Sequence, residues 1–540
     1  MAGLATSFGS GAMTNSINEI PNCEVMFVIG SNTTEAHPVI GTKMKQALAR
    51  GAKLIVADPR EIDLAKDAHI WLRLKPGTDI ALINGIMNII LENGWEDKAF
   101  IEERTEGFEE LRENLKKFPP EKVSQITGVP LELLVEAARL YASHEKAAIF
   151  YTLGITEHVC GTDNVRSLAN LAMLTGHLGK ESSGVNPLRG QNNVQGSCDM
   201  GALPNVFTGY QSVTNPEAQE KFEKAWGVKL SSKVGYMIPD MFDSAVKKEL
   251  RAMYIMGEDP VLTDADANHV RKGLQALDFL VVQNIFMSET AKLADVILPG
   301  ASFAEKDGTF TNTERRVQRV RRAIKPIGNA KADWEIICEL SNRMGYPMNY
   351  QSPAEIMDEI ASLTPQYAGI SYERLGNKGL QWPVPHKDHP GTKFLHEGKF
   401  TRGKGLFAVV DYELPNELPD EEYPFLLTTG RKLQHYNIST RFSPALEEHA
   451  PEELAEINPV DAKRLGIQDG DKVKVVSRRG EVVTKVWITE RVQPGVIFMT
   501  FHYKESPTNV LTNGAYDKVT KTYEYKVCGV RIEPLVQTAK

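Results

Sequence analysis

Cysteine is scarce in this sequence, and the few cysteines are widely scattered. Five are present in 540 residues and none belongs to a Cys-x-x-Cys pair: Cys23, Cys160, Cys198, Cys338 and Cys528. An odd, dispersed set does not build a disulfide framework, and it supplies no ligand cluster for an iron–sulfur or zinc site carried by this chain alone. We therefore expect each cysteine to be a small buried apolar residue.

Long apolar runs, a leader pattern and an excess of basic charge are also missing. The most apolar stretch, residues 81–91, is interrupted by Asn84 and Asn88 and is shorter than the ~20 residues of a membrane helix. The first sixteen residues have neither the charged nor the apolar region of a secretory signal. A net charge of −8 argues against a general nucleic-acid surface. These absences predict a cytoplasmic protein.

The common nucleotide-binding signatures are incomplete. Gly179-Lys180 resembles the end of a phosphate loop, but Leu174 stands where the first glycine is required and Glu181 replaces the Ser or Thr. The pair Gly9 and Gly11 follows no predicted strand and lacks the third glycine of a dinucleotide fingerprint. A serine nucleophile elbow and an H-E-x-x-H zinc motif are absent as well.

The first third of the chain alternates short apolar runs with helical patterns. This alternation predicts a doubly wound α/β domain with a parallel sheet. The predicted strands are 25–30, 53–58 and 147–153, and the predicted helices are 38–50, 78–93, 130–144 and 163–178.

Two further units follow. A second α/β unit is predicted from strands at 252–256, 279–283 and 295–299 and a helix at 334–344, and residues 365–403 are predicted to be irregular. From about residue 405 the period changes to two, and 472–477 with 481–486 forms a hairpin pattern that predicts a small β-barrel. We place the domains at 1–191, 192–396 and 397–540.

Polar residues follow five of the predicted strands and loops. In open α/β sheets ligands bind beyond the carboxyl ends of the strands, where glycines permit close approach and Asn, Asp or Arg supply hydrogen bonds. Any one of these residues alone reads as a cap or a turn residue, but five strand ends in two units indicate two copies of a large nucleotide-like ligand. The five polar segments are residues 30–32, 58–60, 77–79, 257–260 and 283–284.

The densest polar segment, residues 184–201, contains one basic side chain, Arg189, among glycines and amides. A lone guanidinium in such a setting suits a small carboxylate, because it can hold both oxygens at once. The alternative is an interdomain linker in which Arg189 pairs with a structural Asp. Residue types alone leave both interpretations open.

The segment TGHLGKESSGVNPLRGQNNVQG, residues 175–196, resembles the signature of formate dehydrogenase catalytic subunits in the dimethyl-sulfoxide-reductase family. The resemblance covers essentially the whole chain and is specific to the family. Its other segments are MGEDP at 256–260, ADVILP at 294–299, GTFTNTERR at 308–316, TTGR at 428–431 with His435, INPVD at 457–461, and Tyr525-Lys526.

The resemblance implies two molybdopterin guanine dinucleotides that hold one molybdenum or tungsten ion between two doubly wound α/β domains, capped by a double-psi β-barrel. One dinucleotide would be contacted by Gly30, Ser31, Asn32, Asp58, Arg60, Gly77 and Asp79. The other would be contacted by Gly257, Asp259, Gln283, Lys306 and Asp333. The barrel would contribute Gly430, Arg431, His435, Phe501, Asn509 and Lys526.

The implied reaction is the oxidation of formate to carbon dioxide, or its reverse. Arg189 matches the arginine that orients formate in the family, and Gln191, which lies beside it, would contact the cofactor. Two electrons would pass to the metal and then to a [4Fe–4S] cluster that this chain does not ligate, and on to an iron–sulfur partner subunit. One departure is Leu153-Gly-Ile-Thr-Glu157, where related sequences tend to have Met and Gln.

Met1 aligns just after the Cys or Sec that ligates the metal in the family, so no metal ligand is expected in this chain. We hypothesise that the reading frame opens downstream of a UGA codon for selenocysteine; an in-frame UGA followed by a His codon upstream would support this. A chain that starts at Met1 would by itself be inactive and would need the preceding segment as a partner. The alternatives are another oxidoreductase of the family, such as a nitrate reductase, and a non-catalytic scaffold.

Overall fold

The computed structural model describes residues 1–535 and divides the chain into two compact units. Unit 1 consists of Met1–Leu188, Leu262–Asn268 and Phe394–Lys540, and unit 2 consists of Arg189–Val261 and His269–Lys393. The expected division into three domains, 1–191, 192–396 and 397–540, stays a prediction.

Unit 1 begins with a five-stranded, all-parallel sheet in the order β3-β2-β1-β4-β5. Its strands are β1 Val25–Ile29, β2 Lys53–Ala57, β3 Ile70–Leu72, β4 Ala147–Tyr151 and β5 Gly184–Pro187. The order reverses between β1 and β4, which makes their carboxyl ends the point where an open sheet forms a binding crevice.

Both faces of this sheet are covered, as the continuous apolar strands predict. Val25, Phe27 and Ile29 point into one core, and Met26 and Val28 point into the other. The helices of six or more residues in this region are α1 Ala2–Phe8, α2 Pro38–Ala49, α3 Asp79–Glu92, α4 Lys98–Arg104, α5 Phe108–Leu115, α6 Pro120–Thr127, α7 Leu131–Ala142 and α8 Gly161–Leu174. The parallel α/β arrangement predicted for this part of the chain is therefore confirmed.

Unit 2 contains a parallel sheet of three strands, β6 Ala252–Met256, β7 Phe279–Asn284 and β8 Val296–Pro299. A second, antiparallel sheet consists of β9 Gly308–Thr311, β10 Arg316–Val320 and β11 Leu380–Gln381. The helices are α9 Val194–Asp199, α10 Pro216–Trp226, α11 Ile238–Val246, α12 Ala267–Ala276 (whose first two residues belong to unit 1), α13 Asp333–Arg343 and α14 Pro353–Leu363.

The parallel sheet of unit 2 is covered on one face by residues of α11 and α12, which pack on Ile255, Leu280 and Val282. On the other face, Tyr254 and Phe279 are exposed. The described residues thus bear out a parallel α/β arrangement here, whereas they do not show the two covered faces that a doubly wound domain requires.

The rest of unit 1 is a closed barrel in the order β12-β16-β13-β15-β14-β17, around an apolar core. Its strands are β12 Phe425–Gly430, β13 Leu454–Ile457, β14 Lys472–Val476, β15 Glu481–Ile488, β16 Val496–Thr500 and β17 Cys528–Pro534. Two helices, α15 Pro444–His449 and α16 Pro459–Leu465, lie between its strands. The predicted C-terminal barrel and the hairpin β14–β15 are confirmed.

Among residues 1–535 the structure shows no helix that is both long enough and apolar enough to cross a membrane.

A buried ion pair links the first sheet of unit 1 to its barrel. Arg60, after β2, donates from Nε and Nη2 to the two carboxylate oxygens of Glu456 in β13, at 2.8 and 2.5 Å. Its guanidinium also lies 3.8 Å above the Phe498 ring. Because both charges are buried, each needs a partner of opposite charge. Arg491 Nη1 lies 3.6 Å from Glu456 Oε1 as a second, more distant cation.

We predict that Glu456→Gln lowers the free energy of unfolding by about 3–5 kcal/mol, because it leaves the buried Arg60 charge without its counterion. The exposed pair Lys485–Glu452, at 2.7 Å in the same barrel, provides the control: Glu452→Gln should cost less than ~1 kcal/mol. Denaturant titration of both variants measures the difference, and equal losses would contradict the role given to the buried pair.

Candidate functional site

The reversal point of the first sheet brings two loops into backbone contact. Gly30, at φ +56°, follows β1, and Gly154 follows β4. The Gly154 N–H donates to the Gly30 carbonyl at 3.1 Å, and Thr152 Oγ1 donates to the same oxygen at 2.7 Å. A Cβ on either glycine would lie 2.6–2.7 Å from backbone atoms of the other. The contact fixes both loops where a crevice forms.

The two residues after Gly30 are arranged differently. Ser31 is buried, and its hydroxyl lies 2.9 Å from Thr33 Oγ1. Asn32 is partly buried, and its Nδ2 is enclosed without a hydrogen-bond partner among residues 1–535. A buried amide N–H₂ without a partner costs about 1–3 kcal/mol. This atom therefore favours a ligand acceptor at the end of β1.

Two carboxyl groups lie at the same edge of the sheet. Burial raises the pKa of Asp58 to about 6 and that of Asp79, in the first turn of α3, to about 7, with the nearby Asp58 charge adding to the second shift. His158 Nε2 lies 3.8 Å from Asp79 Oδ2 and donates to the Gly154 carbonyl at 2.9 Å. Burial lowers the pKa of His158 to about 4, so the ring is neutral near pH 7 and does not neutralise Asp79.

Gly77 and Arg60 face the C-terminal part of unit 1. Gly77 has φ +81°, and a Cβ there would lie 2.4 Å from Pro415 Cγ. Arg60 binds Glu456, as described above, so two of its donor groups are already used within the protein. Its expected contact with a cofactor stays a prediction.

Lys526 brings the C-terminal part of unit 1 to this edge, and Asn509 contacts the segment 262–268 of the same unit. Lys526 is buried, forms an ion pair with Glu157 at 2.6 Å and donates to the Thr429 carbonyl at 3.1 Å. Asn509 Nδ2 donates to the carbonyls of Leu262 and Thr263 at 2.8 and 2.9 Å, and its Oδ1 is buried without a partner in the described chain. Asn509 Oδ1 is therefore a second atom that favours a ligand.

Arg431 reaches the loop after β1, where its Nη1 donates to the Ala36 carbonyl at 3.2 Å, and burial lowers its pKa. His435 is buried, stacks on His502 with ring centroids 3.5 Å apart and bonds to the Ala450 carbonyl through Nε2 at 2.8 Å. Phe501 follows β16 and is half-buried.

Gly430, the last residue of β12, packs against Phe498. A Cβ added at Gly430 would lie 2.7 Å from the Phe498 ring. Glycine therefore allows the ring to pack directly on the end of the strand.

Unit 2 has its own set of strand-end residues. Gly257 follows β6 at φ +66°, and a Cβ there would meet no described atom within 4 Å. The adjacent Asp259 is buried and accepts hydrogen bonds from Thr290 N and Oγ1 at 2.8 and 2.6 Å. Asp259 thus fixes the loop after β6 to the segment after β7, while open space remains at Gly257.

Gln283, at the end of β7, connects the other predicted residues of this set. Its Nε2 donates to Asp333 Oδ1 at 2.6 Å, and its Oε1 accepts from the Tyr254 hydroxyl. The other oxygen of Asp333 pairs with Lys306. Lys306 and Asp333 also line a cavity of about 250 Å³ in this unit, together with Trp334, Met357 and Tyr372. The three predicted residues Gln283, Lys306 and Asp333 are therefore brought together.

Arg189 is the first residue of unit 2. Its backbone N–H donates to Thr313 Oγ1 at 3.0 Å, and its Nε donates to Gln195 Oε1 at 3.2 Å. Asn193, in the left-handed region at φ 62°, accepts from the Thr311 N–H at 2.9 Å. The loop is thus fixed to the β9–β10 hairpin at two points. Gln191, predicted beside Arg189, is exposed.

Sequence reasoning assigned no function to the group that supports this loop. Asp199, fully buried at the end of α9, accepts four hydrogen bonds. The donors are Gln195 Nε2 at 2.8 Å, the Tyr210 hydroxyl at 2.6 Å, the Tyr367 hydroxyl at 2.7 Å and Trp382 Nε1 at 2.7 Å. The i, i+4 spacing of Gln195 and Asp199 was readable in the sequence, whereas Tyr367 and Trp382 are too distant along the chain.

Two family profiles match this chain. The profile described as "Molybdopterin oxidoreductase" matches residues 3–343, and the one described as "Molydopterin dinucleotide binding domain" matches residues 425–529.

Individual relatives match over nearly the whole chain. F420-dependent formate dehydrogenase subunit alpha of Methanocaldococcus jannaschii is 51% identical over 99% of this chain and 80% of that protein. Formate dehydrogenase H of Escherichia coli is 45% identical over 99% of this chain and 76% of that protein. Among solved structures, acetylene hydratase from Pelobacter acetylenicus has a similar fold, with a TM-score of 0.76 at 22% identity over 98% of this chain and 80% of that one.

The raised pKa of Asp79 predicts a pH-dependent effect of Asp79→Asn. In the ligand-free protein, Asp79 ionises near pH 4 when unfolded but only at about pH 7 when folded. The unfolded chain therefore loses its proton first, and wild-type stability falls as the pH rises from 4 to 7. Asparagine does not ionise, so its stability does not fall in this way. The free energy of unfolding of the variant minus that of the wild type should therefore increase by about 2–4 kcal/mol when the pH is raised from 4.5 to 8.

Denaturant unfolding at both pH values measures this gain. Glu102→Gln, at an exposed helix position, should change the unfolding free energy by less than ~0.5 kcal/mol at either pH. A constant difference between Asp79→Asn and wild type across this range would show that the folded carboxyl ionises normally.

Proposed function

We propose, because the chain belongs to the molybdopterin oxidoreductase family, that it is the catalytic subunit of a formate dehydrogenase that interconverts formate and carbon dioxide. Support comes from relatives named as formate dehydrogenases, which are 45–51% identical over 99% of the chain. The single structural observation that carries the proposal is the fixed Arg189 loop, because a held guanidinium is the group that best binds a small carboxylate.

The residues at the strand ends fit a large cofactor with donor and acceptor groups. Asn32 Nδ2 and Asn509 Oδ1 in unit 1 are buried polar atoms without a partner among the described residues, and Gly257 in unit 2 borders open space. In unit 1, Gly30, Ser31, Asn32, Asp58, Arg60, Gly77 and Asp79 would hold one molybdopterin guanine dinucleotide, together with Gly430, Arg431, His435, Phe501, Asn509 and Lys526 of the barrel. In unit 2, Gly257, Asp259, Gln283, Lys306 and Asp333 would hold another.

The two parallel strand pairs of the barrel, β12–β16 and β13–β15, support the finer proposal that it is a double-psi barrel. A carboxylate such as Asp79 can accept two hydrogen bonds from the edge of a guanine, which would favour its ionised form. When bound, the metal–pterin group supplies the two-electron redox chemistry.

The protein itself binds and orients the substrate. The Arg189 guanidinium would hold the two oxygens of formate and fix the direction of its C–H bond, which lowers the entropic part of the barrier. The names of several relatives describe alpha subunits. This supports further subunits as partners. The resemblance to the family implies that one of them is an electron-transfer iron–sulfur subunit and that a [4Fe–4S] cluster receives the electrons.

The direct test is an activity assay of the purified enzyme. We expect formate-dependent reduction of a viologen dye, no comparable activity with nitrate, and molybdenum or tungsten in elemental analysis. Absence of both metals would instead favour a non-catalytic scaffold, and preferential reduction of nitrate would assign the chain to another branch of the family.

In the same enzyme, Arg189→Ala should cost ~3 kcal/mol or more of transition-state stabilisation, a loss of at least about 100-fold in kcat/KM for formate, because the carboxylate loses its charged partner. The matched control is Arg251→Ala in the same unit, where the arginine forms an exposed ion pair with Asp278 at 2.7 Å. Metal content should be unchanged in both variants. Formate turnover by Arg189→Ala near the wild-type rate would refute the role of this arginine.

A further inference from the structure

We infer that Asp199 and Gln195 are positioning residues for Arg189: the buried carboxylate of Asp199 fixes the direction of the Gln195 amide, and this amide fixes the guanidinium. The inference deepens the proposed function and rests on it. All the contacts lie within unit 2.

The side-chain amide of Gln195 bridges Asp199 and Arg189. It is fully buried, its Nε2 donates to Asp199 Oδ1 at 2.8 Å, and its Oε1 accepts from Arg189 Nε at 3.2 Å. An arginine Nε–H can only donate, so it needs the oxygen end of the amide. If the amide turned around, its N–H₂ would face the Arg189 Nε–H, and two donors would oppose each other. The direction of one amide therefore decides whether Arg189 Nε meets an acceptor or a second donor at Gln195.

Asp199 sets that direction because its ionised form only accepts hydrogen bonds. Oδ1 accepts from Gln195 and from the Tyr210 hydroxyl, and Oδ2 accepts from Tyr367 and Trp382. The indole Nε1–H of Trp382 can only donate, which requires an acceptor at Oδ2. Four donors supply the partners that a buried carboxylate needs. Gln195 thus meets an acceptor and must present its N–H₂ to it.

Asp199 and its four hydrogen-bond donors, called the Asp199 hub below, are also held rigidly. Tyr367 and Trp382 are almost fully buried, at 1% and 4% exposure, and they come from segments more than 160 residues away from Asp199. Neither can follow a movement of α9 without leaving the core. The direction of the amide is therefore imposed by the packed part of unit 2 and not by the flexible end of the Arg189 side chain.

The most informative variant is Asp199→Asn, which keeps the shape and replaces one acceptor by a donor. If the new N–H₂ takes the Oδ2 position, it opposes the Trp382 donor. If it takes the Oδ1 position, it turns the Gln195 amide around and places a donor against Arg189. The first outcome leaves an oxygen facing Gln195 but opposes the Trp382 N–H, which cannot turn into an acceptor. The second outcome is therefore favoured, because the Tyr210 hydroxyl and the Gln195 amide can both turn. We expect a rise in the KM for formate of roughly tenfold or more, because a hydrogen bond to a charged group is worth about 1.5–3 kcal/mol.

The matched control is Glu359→Gln in the same unit. This carboxylate also accepts from a tryptophan and a tyrosine, Trp226 Nε1 at 3.0 Å and the Tyr350 hydroxyl at 2.6 Å, and no described contact connects it to Arg189. Because Glu359 is only half-buried and accepts two hydrogen bonds, this variant should lose less stability than Asp199→Asn, and its KM for formate should not change.

A double-mutant cycle in the complete holoenzyme separates positioning from general destabilisation. If Asp199 acts through Arg189, then Asp199→Asn should change kcat/KM less than about twofold in an Arg189→Ala background, since contacting residues do not contribute additively. Gln195→Met, which keeps the volume and removes the bridging amide, repeats the test if Asp199→Asn does not fold. In a crystal structure of Asp199→Asn, the contact between Gln195 Oε1 and Arg189 Nε should be lost.

Additive losses in the cycle, or an unchanged KM in both Asp199→Asn and Gln195→Met, would overturn the inference. Either result would leave the proposed function intact, provided that the wild-type enzyme oxidises formate. A wild-type enzyme without formate activity would instead refute the proposed function itself.

Discussion

The structure depends on one constraint: a charge removed from water must be matched by groups that the fold supplies. Arg60 is matched by Glu456, Lys526 by Glu157 and Asp199 by four donors. In the first two cases the partner comes from a different part of unit 1, so the same contacts that satisfy a charge also hold the barrel against the first sheet. The contacts that pair these buried charges are therefore also the contacts that assemble the strand-end site of this unit.

Much of the fold could be predicted because its signals are local. The apolar runs of β1 and β2 and the hairpin β14–β15 were predicted within a residue or two. The edge strand β5, Gly184–Pro187, was instead included in the polar segment 184–201. It contains one β-branched residue, and it becomes a strand only because β4 offers its free edge. The single covered face of the β6–β8 sheet was not readable either, since the strands there are as apolar as those of a sheet covered on both faces.

The candidate site was predictable to the extent that its residues follow strands. Gln283, Lys306 and Asp333 are far apart in sequence, but the resemblance to a known family grouped them and the structure brings them together. The hub at Asp199 could not be found in this way, because Tyr367 and Trp382 lie in a stretch predicted to be irregular.

The meeting of Gly30 and Gly154 has a consequence for how this protein can change over evolutionary time. Each glycine occupies the space that a methyl group on the other would need. A substitution at one position cannot be compensated at its neighbour, because the neighbour has no side chain left to shorten. Substitution is therefore restricted at both positions. A lineage that replaces either glycine must also change the backbone conformation of the two loops.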